Sequence, residues 1–110
     1  MCGIVGYTGG QPAQEIVLES LKKLEYRGYD SSGIAMHEGK LVICKKGGPI
    51  ENMEAELTES KSTLAIAHTR WATHGVPSDV NAHPHSDEEV SVAVVHNGTI
   101  DNYREIRESL

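Results

Sequence analysis

Ala13, Ile16, Val17, Ser20, Leu21 and Leu24 recur at i, i+3, i+4, i+7, i+8 and i+11. That spacing is one face of an amphipathic helix. A lone amphipathic helix is marginal in water and needs a surface to bury its face. The chain offers that surface as short apolar runs. Residues 3–7 (Gly-Ile-Val-Gly-Tyr) read as a short buried strand closed by Thr8-Gly9-Gly10. Pro12 suits the first helical turn and Gly28 marks the helix end. Residues 34–37 and 40–45 flank Glu38-Gly39 as a hairpin. Lys46-Gly47-Gly48-Pro49 is a break. Residues 51–58 read as a short helix, with Met53 and Leu57 four apart.

Residues 63–69 (Thr-Leu-Ala-Ile-Ala-His-Thr) and 91–96 (Ser-Val-Ala-Val-Val-His) read as buried strands. Between them, residues 70–89 form a long polar stretch with three histidines and two prolines. Loops of that length in compact domains are often functional. A last helix begins after Asn97-Gly98, with Asn102 as its cap and Glu105 three residues on. It runs to Leu110 without a stop signal. The expected architecture is therefore α+β, with strands covered by helices, as part of a larger domain.

Composition narrows the function classes. The 110 residues allow at most one ordinary domain, and 38% apolar with 24% charged residues is globular. A net charge of −6 argues against general binding to nucleic acid or a membrane surface. No apolar run approaches the ~18 residues of a membrane span, and no signal peptide is read at the N-terminus. Cys2 and Cys44 are too few for a disulfide framework, which favours a reducing, cytoplasmic setting.

Cys2 sits next to the initiator methionine in "MCGIVGY". Removal of Met1 would leave a thiol and a free α-amine on one residue. An α-amine titrates at about 7.7–8.0, so part of it is unprotonated near neutrality. It can accept the thiol proton and return it to a leaving amine, a nucleophile with its own base. Asn97-Gly98 in "VVHNGTI" offers a side-chain amide and a backbone N–H for a developing oxyanion, although Asn-Gly is also a common hairpin turn. Arg70, at the end of a buried strand, offers a fork for a carboxylate, beside Trp71 as a pocket wall. His68, His74, His83, His85 and His96 could in principle bind zinc with Cys2, but no recognised ligand spacing is present. Isolated histidines of this kind are more often held by hydrogen bonds. Cys44 reads as a buried small hydrophobe.

Each signal is weak alone. Their order is specific. "MCGIVGY", "LEYRGYDSSGIA", "IAHTRWATHGVPSDVNAHPH" and "VVHNGTIDN" together resemble the glutaminase domain of the class II glutamine amidotransferases over essentially the whole chain. The resemblance implies an N-terminal-nucleophile hydrolase fold, an αββα sandwich of antiparallel sheets between helical layers, here truncated. It also implies that Cys2 attacks the side-chain amide of glutamine, with Asn97 and Gly98 as the oxyanion hole. Arg70, Trp71, Thr73, His74 and His83 would line the glutamine pocket, and Arg27 would lie near the nucleophile. No cofactor and no metal are implied. In the full-length enzyme the ammonia would aminate fructose 6-phosphate, in a homodimer. A family glutaminase domain is about twice this length. Its acidic residue for the glutamine α-amino group falls beyond Leu110, as do the sugar-isomerase domains.

Overall fold

The computed structural model describes residues 2–28, 30–71, 76 and 78–110. Four strands form its main sheet: β1 (Gly3–Thr8), β2 (Ser31–His37), β3 (Leu41–Gly47) and β4 (Leu64–Arg70). Their order is β1-β4-β2-β3, and all neighbours run antiparallel. The helix α1 (Ala13–Lys23) packs on β1 and β4, and the five-residue α2 (Ile50–Glu54) packs on β2 and β3. Residues 85–86 and 93–94 form a second, two-stranded ladder, β5 and β6, and α3 spans Tyr103–Ser109.

Alternation along the strands sorts the two faces. Ile34, Met36, Ala65 and Ala67 point toward the helices and meet Ala13, Val17, Leu18, Leu21, Ile50 and Met53 in one core. Val5, Tyr7, Cys44 and Leu57 pack against its edge. The opposite face carries Gly33, Lys45, His68 and Arg70, and the segment after residue 78 lies over it. Contact there is close. A Cβ at Gly33 would fall 2.1 Å from the His83 carbonyl oxygen, so only glycine lets the segment lie flat on β2. Lys45 reaches across and donates its Nζ to the carbonyls of Ala82 (3.0 Å) and Pro84 (3.2 Å). Asp79 Oδ1 accepts the Gly47 N–H at 2.7 Å, tying the same segment to the end of β3.

The strands over 3–7 and 63–69 and the hairpin about Glu38-Gly39 form where the sequence places them, each within a few residues. Other expectations change. Lys46 and Gly47 continue β3 by pairing with Ser32 and Ser31, so the break begins at Gly48, and α2 covers Ile50–Glu54 rather than 51–58. The first helix stops at Lys23, because Leu24 turns in and a single 3-10 turn at Glu25–Arg27 carries the chain to Gly28. In α1 it is Leu18, rather than Ile16, that is buried. The run 91–96 is not a buried strand: only Ala93–Val94 pair, while Val92 is 65% and Val94 55% exposed. Asn102 occupies the cap position of α3 but makes no side-chain capping bond, and no residue of α3 is buried. In the last two cases the apolar pattern is present but nothing among the described residues covers it.

Candidate active site

Cys2 enters the sheet one step beyond the Gly3↔Thr69 pair, which sets it beside the end of β4. There its Sγ accepts the Trp71 N–H at 3.3 Å and lies 3.6 Å from the Trp71 carbonyl. The Cys2 carbonyl accepts two side-chain donors, Asn97 Nδ2 at 3.1 Å and Arg27 Nε at 3.3 Å. The early end of α1 is what brings Arg27 here. The 3-10 turn swings it back toward β1, and Thr69 Oγ1 donates to the Gly28 carbonyl to hold that turn.

A cavity of about 390 Å³ opens at this point. Cys2, Arg70, Trp71, His83, Gly98 and Tyr103 are among its walls. Its size suits a small ligand. Arg70 is 6% exposed and donates Nη1 to the Val76 carbonyl at 3.2 Å. Asn81 Nδ2 donates to the same carbonyl at 2.8 Å. Gly98 takes φ +135°, a backbone that disfavours any side chain, so the turn after Asn97 depends on glycine.

Three histidines cluster, His68 stacked on His83 and His85 tilted against it. The rings of His68 and His83 lie 4.3 Å apart, and those of His83 and His85 4.4 Å apart. His83 Nδ1 accepts the His96 N–H at 3.3 Å. Burial, then the neighbouring His68, pushes the His83 pKa down to about 3, and burial also lowers His68 and His85. These rings are neutral near pH 7, and among the described residues no group of three His, Cys, Asp or Glu is arranged to hold a metal ion.

Of the residues singled out in the sequence, Cys2, Arg27, Arg70, Trp71, His83, Asn97 and Gly98 come together at this place. Thr73 and His74 lie outside the described residues. Cys44 stands apart in β3, half-buried, its thiol pushed up by burial and donating to the Met53 carbonyl at 3.7 Å. Sequence reasoning missed Lys45, Asn81 and Tyr103. Lys45 carried a signal: a lysine closing an apolar run, two residues from Ile43 and so on the same face. The others carried none.

No family model matches the chain. Curated proteins do. The chain is 53% identical over 110 residues to the glutamine–fructose-6-phosphate aminotransferase [isomerizing] of Clostridium acetobutylicum and 56% over 113 to that of Aquifex aeolicus. These alignments cover 97% and 100% of this chain. The Pyrococcus horikoshii enzyme of the same name is 50% identical. The chain spans 18–19% of the length of these relatives. Among solved structures, glutamine phosphoribosylpyrophosphate amidotransferase from B. subtilis, complexed with ADP and GMP, superimposes with a TM-score of 0.80 at 30% identity. That match covers 99% of this chain and 24% of the neighbour. No described helix is long and apolar enough to cross a membrane. By sequence along its whole length and by fold, the chain belongs with the N-terminal segments of the N-terminal-nucleophile glutamine amidotransferases, on the glutamine–fructose-6-phosphate aminotransferase branch.

Proposed function

We propose that the chain carries the nucleophile half of a class II glutaminase domain and that Cys2 cleaves the side-chain amide of glutamine. Removal of Met1 frees the Cys2 α-amine, which takes the thiol proton as Sγ attacks the amide carbon. The C–S bond forms, and the carbonyl π electrons move onto oxygen. Asn97 Nδ2 and the Gly98 N–H meet that oxyanion. The amine then delivers its proton to the leaving nitrogen, the C–N bond breaks and ammonia departs. Water attacks the γ-glutamyl thioester, the C–S bond breaks, and glutamate leaves. Arg70 holds the glutamine α-carboxylate through its guanidinium fork, with Trp71, Thr73, His74 and His83 around it. Arg27 steadies the Cys2 carbonyl.

The observation that carries this reading is the position of Cys2: its thiol opens on a cavity that also holds a buried arginine and the Gly98 turn. In the full-length protein the ammonia aminates fructose 6-phosphate to glucosamine 6-phosphate, in a cytoplasmic homodimer serving amino-sugar synthesis. Residues 1–110 are then the first part of the glutaminase domain, with the rest of that domain and the isomerase domains following. The test is glutamate release from glutamine by the full-length protein and by its Cys2→Ala variant. The wild type should hydrolyse glutamine and the variant should lose all but about one part in a thousand of that rate or less. Undiminished hydrolysis in the variant would refute the assignment.

A further inference from the structure

His68 is an unusual residue for its place. It sits within β4, paired with Gly33 on one side and Ile4 on the other, and it is 0% exposed. An apolar side chain would fill that position without the cost of burying an imidazole. One ring nitrogen has a partner: Nε2 lies 2.7 Å from Asn97 Oδ1. The other, Nδ1, is buried and has no hydrogen-bond partner among the described residues.

The hydrogens on this chain of contacts can be assigned from its far end. The Cys2 carbonyl can only accept, so the Asn97 group facing it at 3.1 Å must be the amide nitrogen. The amide oxygen then faces His68, and since it cannot donate, Nε2 must carry the hydrogen. A hydrogen on Nδ1 would be a buried donor without a partner in hydrogen-bond geometry among the described residues, at a cost of about 1–3 kcal/mol. Both ends of the ring therefore select one form, the neutral Nε2–H tautomer. Its surroundings agree: the His83 ring is stacked on it at 4.3 Å, and Arg70 lies two residues along the same face.

We propose that His68 is a positioning residue, whose Nε2–H locks the Asn97 side chain with its amide nitrogen toward Cys2. The inference rests on the glutaminase reading and adds a determinant to it. A flipped Asn97 would aim an acceptor at the place where the substrate oxygen turns negative. The donor would be lost and replaced by repulsion. The Cys2 carbonyl still opposes that flip once His68 is gone. The loss should therefore fall short of the ~10²–10³ that removal of an oxyanion donor costs.

The test uses the full-length protein with His68→Gln and His68→Leu. A glutamine side chain can place an amide N–H near the position of Nε2; leucine fills the space and donates nothing. The inference expects kcat for glutamine hydrolysis to fall about 10- to 100-fold in His68→Leu and to be largely restored in His68→Gln, with KM little changed in both. Equal rates in the two variants, with Cys2-dependent hydrolysis intact in the wild type, would overturn the inference and leave the glutaminase reading standing. Hydrolysis that does not depend on Cys2 would overturn both. Nitrogen-15 NMR of the wild type supplies a readout independent of how the variants fold. A neutral Nε2–H ring near pH 7 supports the lock, and an Nδ1–H ring or an imidazolium contradicts it.

Discussion

The two faces of the main sheet are built differently. On one face, α1 and α2 bury Val17, Leu21, Ile50 and Met53 against Ile34, Ala65 and Ala67, all at 0–1% exposure. On the other, residues 78–102 are held by polar ties: Lys45 to the carbonyls of Val80, Ala82 and Pro84, Asp79 to Gly47, His68 to Asn97. Three of its valines, Val80, Val92 and Val94, face solvent. Hydrophobic burial scales with area and asks little of geometry, whereas hydrogen bonds ask for position. The first face supplies stability. The second supplies placement, and Asn97, Gly98 and His83, which meet around Cys2, stand on it. Cys2 itself is anchored to the first through β1, so the site lies on the seam between a stiff layer and an adjustable one.

Substitutions should separate the two. The largest effect on folding is expected from Leu21→Ala, which empties a fully buried site and should cost about 2–5 kcal/mol in denaturant unfolding. A loss below 1 kcal/mol would mean that the helix-covered face is not the stability core. Gly33→Ala comes next. Its methyl group would run into the His83 carbonyl, so the second layer must lift, at about 1–3 kcal/mol. Hydrogen exchange should show the lift as faster exchange over residues 82–96 than over β4. Uniform exchange would mean that the layers move as one.

Acid should also loosen the second layer first. Folding holds His68, His83 and His85 below the ordinary histidine value, His83 at about 3. Between about 6.5 and 3 the unfolded chain therefore binds more protons, and stability rises with pH. The contribution of these neutral rings is complete above about 6.5 and is lost as pH falls toward 3. Unfolding midpoints that stay flat from pH 7 to 4 would contradict this. The smallest effect is expected at Val94, 55% exposed, where Val94→Thr should stay within about 0.5 kcal/mol.

The same contrast explains what could be read without coordinates. The helix-covered face announced itself, because periodicity is the signature of area burial. The spacing of Ala13, Val17 and Leu21 gave α1, and the apolar runs gave β1 and β4. The second layer shows no periodicity, so residues 91–96 looked like a strand on composition alone and proved to pair at only two positions. Cys2, Arg70 and Asn97-Gly98 each carry only a weak chemical signal, since a turn or a structural ion pair explains them as well, and it is the order of the four motifs that points to a family. The link from His68 to Asn97 spans 29 positions and joins two layers, so no local pattern could have revealed it.

The central claim is that Cys2 is the reactive thiol of a glutamine pocket on this seam. The most direct measurement is the intact mass of the protein before and after an electrophilic glutamine analogue, with the adduct mapped. The account predicts loss of Met1 and one adduct, on Cys2, with Cys44 unmodified because its thiol is pushed up by burial and held against Met53. An adduct on Cys44, or a Cys2 that stays unmodified in the full-length protein, would contradict it.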